Sequence, residues 1–364
     1  MLKVGMIGCG SISKKHLDTL SRLDRVELVA VSDVQKTRME EASVYYQKNK
    51  GYNGLVKHYG NYLDLIQDSE IDIVLILVIS GLHATITKQS LIEGKHVIVE
   101  KPLALSLKEA DEIIALSKFK KRKVLVCHQL RYRPVISKIK QVLEEGYLGE
   151  PYMGIVSARI NRSPEYYASA SWRGRWEQDG GMLINQGIHI VDLLIWLLGD
   201  IETVYGEIAV RMNIPQKETE DIATSIINFT NKAKGIIEVN SITKPKNQGY
   251  YLSLFCEKGS ITLSGTDFDK LDHCFIENQD KIVQDLKILC VKKDEHFNMY
   301  QNFIDSIVND TVLIMDAAEG KRALETIFAI YKSNNIKARV KLPLLNFSTK
   351  EMVQFPANKE NLND

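Results

Sequence analysis

The chain has 364 residues, of which 45% are hydrophobic and 26% charged, a composition typical of a soluble globular protein long enough for two domains. Its 47 basic and 46 acidic residues nearly cancel, so net charge gives no reason to expect nucleic acid or an anionic membrane as a partner. The longest apolar run, residues 73–79, is too short to span a bilayer, and the first residues lack the pattern of an export signal. The five cysteines are scattered, so we expect a reducing cytoplasm as the compartment.

The first third of the chain alternates short apolar strands with helical patterns. Strands are predicted at residues 2–7, 26–31, 71–79, 96–99 and 124–127, and helices at 13–23, 34–50, 62–66, 83–93 and 107–118. Parallel strands need crossover helices, so this order predicts a doubly wound parallel sheet with helices on both faces. We predict a dinucleotide-binding Rossmann domain over residues 1–125.

Beyond Pro134 strand patterns follow one another with one strong helix, at 182–198. The strands are predicted at residues 152–161, 204–212, 223–229, 235–242, 250–256 and 259–263. Such a run predicts a second α/β domain over residues 126–343, with a large, mostly antiparallel open sheet. Helical patterns at 297–308 and 317–333 end it, and residues 344–364 are expected to form a mobile tail.

A glycine turn opens the chain in the sequence Gly8-Cys9-Gly10-Ser11-Ile12. Gly8 allows a sharp turn from strand to helix, and Gly10 allows the backbone to approach a pyrophosphate. A helix that begins near Ser11 offers the N–H groups of Ser11 and Ile12, with the positive end of its dipole, to the phosphates. Glycine turns after strands also occur for structural reasons alone. This pattern by itself therefore fits both a dinucleotide-binding site and a purely structural turn.

Asp33 stands at the end of the second strand, about 25 residues after Gly8. A carboxylate at this place accepts hydrogen bonds from the adenosine ribose hydroxyls and repels a 2′-phosphate. It therefore favours NAD over NADP. A helix N-cap or a solvated loop acid is the alternative interpretation of the same residue.

The segment Glu100-Lys101-Pro102 follows the strand at 96–99, where the nicotinamide half of the cofactor would lie. Lys101 could take up the hydroxyl proton and stabilise a developing alkoxide during oxidation of a secondary alcohol. Glu100 and Pro102 are expected to position it, and Glu100 and Lys101 are candidates for cofactor contact. The alternative for Lys101 is a surface lysine that ends a strand.

Several further motifs follow these in a fixed order. They are the segment from His83 and Ala84 to Pro102, Gln129-Leu130-Arg131-Tyr132-Arg133-Pro134, Gly149-Glu150-Pro151, Gly180-Gly181 with Gly187, His189 and Asp192, Glu220-Asp221, and Ala329-Ile330-Tyr331-Lys332-Ser333. From Val4 to about Pro343 the chain resembles the Gfo/Idh/MocA oxidoreductases, which include glucose-fructose oxidoreductase and inositol dehydrogenase. The resemblance implies an NAD(P)-dependent dehydrogenase that acts on CH–OH groups of a sugar. It also implies a Rossmann domain followed by an α/β domain whose open sheet supports a homodimer or homotetramer.

The resemblance also assigns roles to residues. Lys101 and His189 are the expected catalytic residues, His83 is expected to contact the cofactor, and the expected substrate-binding residues are Arg131, Tyr132, Asn185 and His189. Many members have an aspartate four residues before the motif histidine, whereas this chain has Asn185. A neutral amide cannot stabilise an imidazolium, so the proton-transfer burden shifts toward Lys101. Asparagine here resembles the subset that acts at C3 of nucleotide-linked sugars.

Aromatic and arginine residues are dense between Asn161 and Trp176, and Trp172 and Arg173 are among them. Aromatic faces pack on sugar rings and guanidinium groups bind phosphates or carboxylates, which favours an anionic sugar. A subunit contact would use the same residue types. No histidine has metal-ligand spacing, so no metal is expected. A cyclitol or free-hexose dehydrogenase remains the main alternative, and a non-catalytic NAD-binding sensor is another.

Overall fold

The fold is described from a computed structural model, which describes residues 1–354 of the chain. Within these residues the strands are β1 (Leu2–Ile7), β2 (Val26–Ser32), β3 (Lys57–Tyr59), β4 (Ile73–Ile76), β5 (His96–Val99), β6 (Val124–Val126), β7 (Pro151–Arg159), β8 (Ile201–Ala209), β9 (Ile222–Phe229), β10 (Lys234–Asn240), β11 (Gly249–Cys256), β12 (Gly259–Gly265), β13 (Lys270–Ile276) and β14 (Val340–Lys341).

The α-helices are α1 (Ser13–Ser21), α2 (Lys36–Lys50), α3 (Tyr62–Gln67), α4 (Ser80–Ile92), α5 (Leu107–Lys120), α6 (Pro134–Glu144), α7 (Pro164–Ala168), α8 (Ile188–Leu198), α9 (Asp280–Cys290), α10 (Glu295–Val308), α11 (Ala317–Ile336) and α12 (Glu351–Gln354). A 3₁₀ turn at Gln129–Tyr132 and a π-helical turn at Leu183–Gly187 complete the helical elements.

Residue contacts divide the chain into two compact units. The first unit comprises Met1–Ala104, Lys108–Gln129 and Glu295–Lys321, and the second comprises Leu105–Leu107, Leu130–Asp294 and, as far as the structure describes the chain, residues 322–354. Each unit is therefore built from three separate segments of the chain. The predicted boundaries after residues 125 and 343 stay predictions about domain organisation.

The first unit is built on one parallel sheet of six strands in the order β3-β2-β1-β4-β5-β6. All four residues of β4 are buried, as expected for a central strand covered by helices on both faces. Because the strands are parallel, their carboxyl ends share one edge of the sheet. Gly8, Asp33 and Glu100 all follow strands at that edge. The prediction of a doubly wound parallel sheet is confirmed.

Helix α10 belongs to this first unit, although the sequence places its pattern in the second domain. Tyr300 on α10 contacts His16 on α1 with 2.7 Å between Oη and Nδ1, and Asp305 on α10 pairs with Arg25. Sequence distance hides these contacts, since the first joins residues that are 284 positions apart.

The second unit is built on an eight-stranded sheet in the order β13-β12-β11-β7-β10-β9-β8-β14. Only β7 and β10 pair in parallel among its described strand pairs, so the prediction of a mostly antiparallel sheet is confirmed. Strand β13 and helix α9 have no predicted counterpart. Four of the seven residues of β13 are exposed, which leaves little apolar alternation to read. Helix α9 has an apolar face with Leu286 and Cys290 buried, and that pattern was available in the sequence.

Helix α8 covers one face of this sheet. It is apolar all round and nine of its residues are buried, the pattern of a core helix. A Cβ added to Gly154 on β7 would lie 2.6 Å from Leu198 and 2.7 Å from Leu194, so glycine lets α8 pack directly on the strand. The helix that carries His189 is thereby fixed on the sheet.

The stretch that begins at Leu344 packs on the second unit as far as the structure describes it. Phe347 is buried beside Phe328, with 5.2 Å between ring centroids, and Met352 is fully buried. The expectation of a mobile tail is therefore corrected for residues 344–354, while residues 355–364 lie outside the described part of the chain. Among the described residues, no helix combines the length and apolar character needed to cross a membrane.

Candidate functional site

The glycine turn has room for a pyrophosphate. Gly8 has φ +93°, and a Cβ added there would lie 2.4 Å from the carbonyl oxygen of Leu77, so only glycine fits this turn. A Cβ added to Gly10 would meet no atom within 4 Å, which leaves open space beside the backbone. No side chain caps the start of α1 at Ile12. The Ser13 N–H donates to the Gly10 carbonyl at 3.0 Å and the Lys15 N–H to the Ile12 carbonyl at 3.1 Å, so an anion would bind at the N–H groups of Ser11 and Ile12 that precede them.

A cavity of about 370 Å³ opens in front of this turn, entirely within the first unit. Beside the glycine turn it is lined by two cationic side chains and a tyrosine that the sequence did not single out. The lining residues are Cys9, Gly10, Ser11, Ser13, Lys14, Leu17, Arg38, Glu41, Ala42 and Tyr45. Arg38 lies in the first turns of α2, five residues after Asp33, and that short distance along the chain is the signal that could have found it.

The Asp33 carboxylate holds the glycine turn in place. Its Oδ2 accepts a hydrogen bond of 2.8 Å from the backbone N–H of Cys9, and its Oδ1 accepts one of 2.9 Å from Gln35. Burial and the negative charge of Asp33 raise the pKa of the Cys9 thiol to about 12. A carboxylate has about four lone-pair sites, so Asp33 keeps acceptor capacity for ribose hydroxyls. These residues fit the adenosine and pyrophosphate parts of a dinucleotide.

His83 holds the Glu100–Pro102 segment from the side of α4. Its Nδ1 lies 2.7 Å from the carbonyl oxygen of Pro102, and its Nε2 lies 3.0 Å from that of Val78. The ring is 1% exposed, and burial lowers the pKa of His83 below its ordinary value. His83 is fully buried with both ring nitrogens at carbonyl oxygens, and its contact with the cofactor stays a prediction.

Lys101 follows β5 and is half-buried, and its peptide bond to Pro102 is cis. The backbone N–H of Glu100 donates a 3.0 Å hydrogen bond to the Ile76 carbonyl, so the segment continues the edge of the sheet. The Glu100 side chain faces inward to His16, with 3.0 Å between Oε1 and Nε2. Glu100 therefore supports the segment through these hydrogen bonds. Its contact with the cofactor stays a prediction.

In the second unit, Asn185 lies in the π-helical turn Leu183–Gly187 and His189 in the first turn of α8. The prediction of one continuous α-helix over residues 182–198 is corrected, because the π turn inserts extra backbone at this place. Turns of this kind are rare and frequent at functional sites. The two side chains therefore do not follow the simple α-helical spacing that we assumed.

Asp179 supplies a carboxylate to Asn185. The Asn185 side-chain amide donates to Oδ1 of Asp179, and Oδ2 of Asp179 accepts a 2.8 Å hydrogen bond from the Gly174 N–H. Asp179 is 3% exposed. The sequence analysis noted that position 185 has asparagine where many family members have aspartate, but it did not identify Asp179 as a nearby acid. Its place directly before Gly180-Gly181 was the available signal.

Glu220 and Asp221 are buried acids with different partners, and Glu220 is the one that holds the backbone of the π turn. Oε1 of Glu220 accepts hydrogen bonds of 2.8 Å from the Leu183 N–H and from the Tyr331 hydroxyl. Burial raises the pKa of Glu220 above its ordinary value. Asp221 pairs with the buried Lys217, with 2.8 Å between Oδ1 and Nζ. Glu220 thus supports the start of the helix, whereas Asp221 accepts hydrogen bonds from the N–H groups of Arg211 and Met212.

Arg131 forms a buried ion pair with Asp192 on α8. Its Nε and Nη2 donate to the two carboxylate oxygens at 2.8 and 2.7 Å, and the guanidinium lies over the Trp196 ring at 5.2 Å. Arg131 is 1% exposed and Tyr132 4% exposed. The bidentate pair holds Arg131 in place and both side chains are buried, and their binding of substrate stays a prediction.

Arg173 is stacked between two aromatic rings. Its guanidinium carbon lies 4.1 Å from the Tyr166 ring centroid and 4.5 Å from that of Trp172, and Nε donates to the Ser169 hydroxyl at 3.1 Å. Arg162 also lies over the Tyr166 ring, at 4.7 Å. Among the described residues, neither arginine pairs with a carboxylate. The cluster thus offers positive charge on an aromatic surface.

Two family models match the chain. The model for the oxidoreductase family, NAD-binding Rossmann fold, covers residues 2–128, and that for the oxidoreductase family, C-terminal alpha/beta domain, covers residues 140–342. The chain belongs to the Gfo/Idh/MocA oxidoreductase family. The predictions of this family, of its fold, of a dehydrogenase and of NAD as cofactor are confirmed.

Three relatives of this Gfo/Idh/MocA chain are informative. The WlbA dehydrogenase of Bordetella pertussis, solved with NADH and UDP-GlcNAcA, is 29% identical with a TM-score of 0.85, over 94% of this chain and 98% of that one. The WlbA dehydrogenase of Chromobacterium violaceum, solved with the same two ligands, is 30% identical with a TM-score of 0.84, over 94% and 96%. The myo-inositol 2-dehydrogenase of Thermotoga maritima is 26% identical over 349 residues, 94% of this chain and 98% of that protein.

The two glycines of the turn should behave differently on substitution. Gly10→Ala meets no atom within 4 Å, so the free energy of unfolding should change by less than about 0.5 kcal/mol, whereas NADH affinity should fall roughly tenfold or more because the methyl group occupies the phosphate approach. Gly8→Ala should cost on the order of 1–3 kcal/mol of stability through its positive φ. Denaturant unfolding and calorimetric NADH titration measure both, and unchanged NADH affinity in Gly10→Ala contradicts the proposed phosphate site.

The Asp179–Asn185 pair predicts a pH-dependent instability. Asn185→Asp puts two carboxylates in contact, which raises the folded-state pKa of one of them above its unfolded value of about 3.9. The variant should match the unmodified protein at about pH 4, where that carboxyl is protonated, and lose stability as pH rises, by about 1–3 kcal/mol at about pH 7.

The double variant Asn185→Asp/Asp179→Asn is the control, because it exchanges amide and carboxylate and keeps one of each. It should recover most of the stability lost at neutral pH. Urea unfolding of the three proteins at both pH values measures this. A single variant as stable as the unmodified protein at neutral pH would show that the two side chains do not interact.

Proposed function

We propose that the chain is an NAD-dependent dehydrogenase that oxidises or reduces a secondary hydroxyl of an anionic sugar, with a nucleotide-linked sugar as the leading class. The observation that carries the substrate class is Arg173, stacked between Tyr166 and Trp172 with no carboxylate partner among the described residues. An arginine placed in this way keeps its charge and its planar donor fork for a phosphate or carboxylate.

Lys101 is the proposed acid/base. When bound, NAD supplies the hydride acceptor, and the protein must supply a group that takes the hydroxyl proton and stabilises negative charge on oxygen. A half-buried lysine at the carboxyl end of β5 suits both tasks. His189 on α8 is proposed as a second proton-transfer or hydroxyl-orienting residue, and Asn185 as a substrate ligand whose amide is oriented by Asp179.

The relatives support a nucleotide-linked sugar without deciding the substrate. Both WlbA dehydrogenases, at 29% and 30% identity, bind UDP-GlcNAcA in their crystals. UDP-GlcNAcA carries a diphosphate and a carboxylate, which are the groups that the Arg162–Arg173 cluster would recognise.

A cyclitol is the second candidate. The myo-inositol 2-dehydrogenase of Thermotoga maritima matches this chain over 98% of its own length, and it acts on a neutral substrate. A non-catalytic NAD sensor is less favoured, because a sensor would have no need for the hydrogen bonds that hold the segment around Lys101.

NAD is proposed over NADP because of Asp33, whose carboxylate lies at the cavity of the glycine turn and would repel a 2′-phosphate. Arg38 lines the same cavity and is the residue through which a 2′-phosphate could be accommodated. The five cysteines are free thiols, three of them buried, and we keep the cytoplasm as the proposed compartment.

A homodimer or homotetramer is proposed through the face of the eight-stranded sheet opposite α8. Ile226 pairs with Ile236, which pairs with Ile155, and Phe255 and Phe275 both pair with Ser260. Ile226, Phe255 and Phe275 are 56%, 43% and 58% exposed. Adjacent apolar side chains on one open face are typical of an interaction surface.

A substrate panel tests the proposal. NADH formation is measured with UDP-GlcNAcA, myo-inositol and free hexoses, and UDP-GlcNAcA should give the highest kcat/KM. Arg173→Gln should raise KM for UDP-GlcNAcA roughly tenfold or more with little change in kcat, because a charged hydrogen bond is lost in both ground and transition states.

Arg175→Gln is the matched control. Arg175 is already paired with Glu218 and both are partly exposed, so its loss should change KM less than about threefold. An enzyme that turns over myo-inositol or a hexose at least as efficiently as UDP-GlcNAcA would contradict the anionic substrate and leave the dehydrogenase class in place.

The proposed contact through the exposed face of the eight-stranded sheet leads to a prediction about the assembly state. The unmodified protein should sediment as a dimer or tetramer, and Phe275→Glu should yield smaller species because a charge is buried in the contact. Phe119→Glu makes the same chemical change at an 80% exposed position on α5 and should leave the mass unchanged. A monomeric unmodified protein would contradict the proposed contact.

A further inference from the structure

We propose that Tyr300, His16 and Glu100 form a buried hydrogen-bonded chain that positions Lys101 for proton transfer. His16, Glu100 and Tyr300 then act through Lys101 and are positioning residues. The inference rests on the proposed function, in which Lys101 is the acid/base.

The chain runs without a gap from α10 to the backbone of Lys101. Tyr300 Oη lies 2.7 Å from His16 Nδ1, and His16 Nε2 lies 3.0 Å from Glu100 Oε1. The other carboxylate oxygen, Oε2, accepts a 3.1 Å hydrogen bond from the Lys101 N–H. The side chains of His16 and Glu100 are 0% and 13% exposed.

The Glu100 carboxylate at one end of the chain indicates the direction of the two hydrogen bonds that a neutral His16 ring makes. A carboxylate can only accept, so a neutral His16 ring would carry its proton on Nε2 and present a lone pair at Nδ1. Burial, with smaller effects from Cys127 and Glu100, raises the pKa of Tyr300 well above its ordinary value, so its hydroxyl stays protonated and donates to Nδ1. Both ring nitrogens of His16 are thereby used.

The chain places structural constraints on Lys101 from two sides. His16 lies on α1, the helix whose first turn faces the proposed phosphate site, and it holds Glu100. His83 lies on α4 and holds the Pro102 carbonyl at 2.7 Å. With the residues on either side of it held, Lys101 has a fixed backbone, and reorientation of the ammonium group is left to its side chain. Reacting groups need such fixed placement, since an error of about 1 Å can cost a hundredfold in rate.

A metal site is the rival explanation of this cluster. Ligand atoms of His16, Glu100 and Cys127 all lie within 4.8 Å of one another. However, Nδ1 of His16 lies 2.7 Å from the Tyr300 hydroxyl and Nε2 lies 3.0 Å from the Glu100 carboxylate, so both ring nitrogens already have hydrogen-bond partners. Burial and Glu100 raise the pKa of the Cys127 thiol well above its ordinary value, so it is not the thiolate that a metal would require. The hydrogen-bonded chain accounts for the cluster.

The decisive experiment is a double-mutant cycle between Glu100→Gln and Lys101→Ala. Turnover is measured with NAD and the better substrate of UDP-GlcNAcA and myo-inositol. Glu100→Gln should lower kcat by roughly tenfold to a hundredfold and leave KM and NADH affinity within about twofold. In the Lys101→Ala background the same substitution should change kcat less than about twofold, because there is no longer a lysine to position.

Tyr300→Phe removes only the far end of the chain and has a matched control. It should lower kcat several-fold because His16 loses the donor that fixes its ring. Tyr46→Phe also removes a buried hydroxyl of the first unit, one that accepts from the Leu28 N–H at 3.2 Å and has no link to Lys101. It should cost comparable stability and leave kcat unchanged.

Two further measurements, the pH–rate profile and imidazole nitrogen NMR, respond to the positioning of Lys101 and do not respond to a loss of packing. Removal of the Glu100 charge should move the acidic limb of the pH–rate profile for NADH formation to lower pH, because Lys101 must lose its proton to act as the base and a carboxylate stabilises a nearby ammonium. His83, Cys127, His296 and Tyr300 also face this carboxylate, so Tyr300→Phe, which keeps the charge, serves as the comparison. Imidazole nitrogen NMR of the unmodified protein should give the Nε2–H tautomer for His16.

The outcomes separate this inference from the proposed function. If Glu100→Gln lowers kcat by the same factor with and without Lys101, or if His16 is an Nδ1–H tautomer, the positioning role is overturned and the dehydrogenase assignment stands. If Lys101→Ala alone keeps most of its turnover, the proposed acid/base is overturned as well.

Discussion

The Glu100–Pro102 segment carries a cationic side chain at the end of a buried parallel sheet, and its backbone has to be held in place. Two histidines provide this. His16 donates to the Glu100 carboxylate from α1, and His83 lies within 2.7 Å of the Pro102 carbonyl from α4. Neither histidine can be replaced by an apolar residue without leaving a buried acceptor unsatisfied, which costs about 1–3 kcal/mol. The late helix α10 joins the first unit for the same reason, because Tyr300 completes the hydrogen bonding of His16.

The second unit meets a similar requirement with buried acids. Asp179 orients Asn185, Glu220 binds the N–H of Leu183 at the start of the π turn, and Asp192 pairs with Arg131. Each acid has a defined donor, so the cost of burying its charge is offset by charge-assisted hydrogen bonds. These contacts fix an irregular helix start that propensity alone would not favour. The residues that remain available at the surface of this unit include Arg173 and the aromatic rings around it, and that division between supporting and available side chains is the basis of the substrate proposal.

Much of the fold follows from sequence periodicity. The parallel strands are apolar runs separated by helical patterns, and the strands of the second sheet alternate. The glycine turn and Asp33 could be located because each lies at the end of a predicted parallel strand, the place where a dinucleotide binds in this fold. Roles that depend on long-range contacts could not be read in this way. Arg131 resembles a ligand-binding residue until Asp192, 61 positions later, is seen to pair with it. Asp179 was hidden in a loop, and the π turn has no sequence signature that separates it from the α8 pattern. The hydrogen bonds of His83 to Pro102 and of Glu100 to His16 could not be predicted either, since each joins residues far apart in the sequence.

Chemical rescue of Lys101→Ala tests the central claim most directly, because it asks whether an amine at this place performs the proton transfer. The variant is assayed for NADH formation with and without small primary amines of different pKa. We predict a loss of roughly a hundredfold or more in kcat, partial restoration by amines, and a rescued rate whose pH dependence follows the pKa of the added amine. A Lys101→Ala enzyme that retains most of its turnover, or one whose residual rate does not respond to any amine while its fold and NADH affinity are intact, would contradict the account.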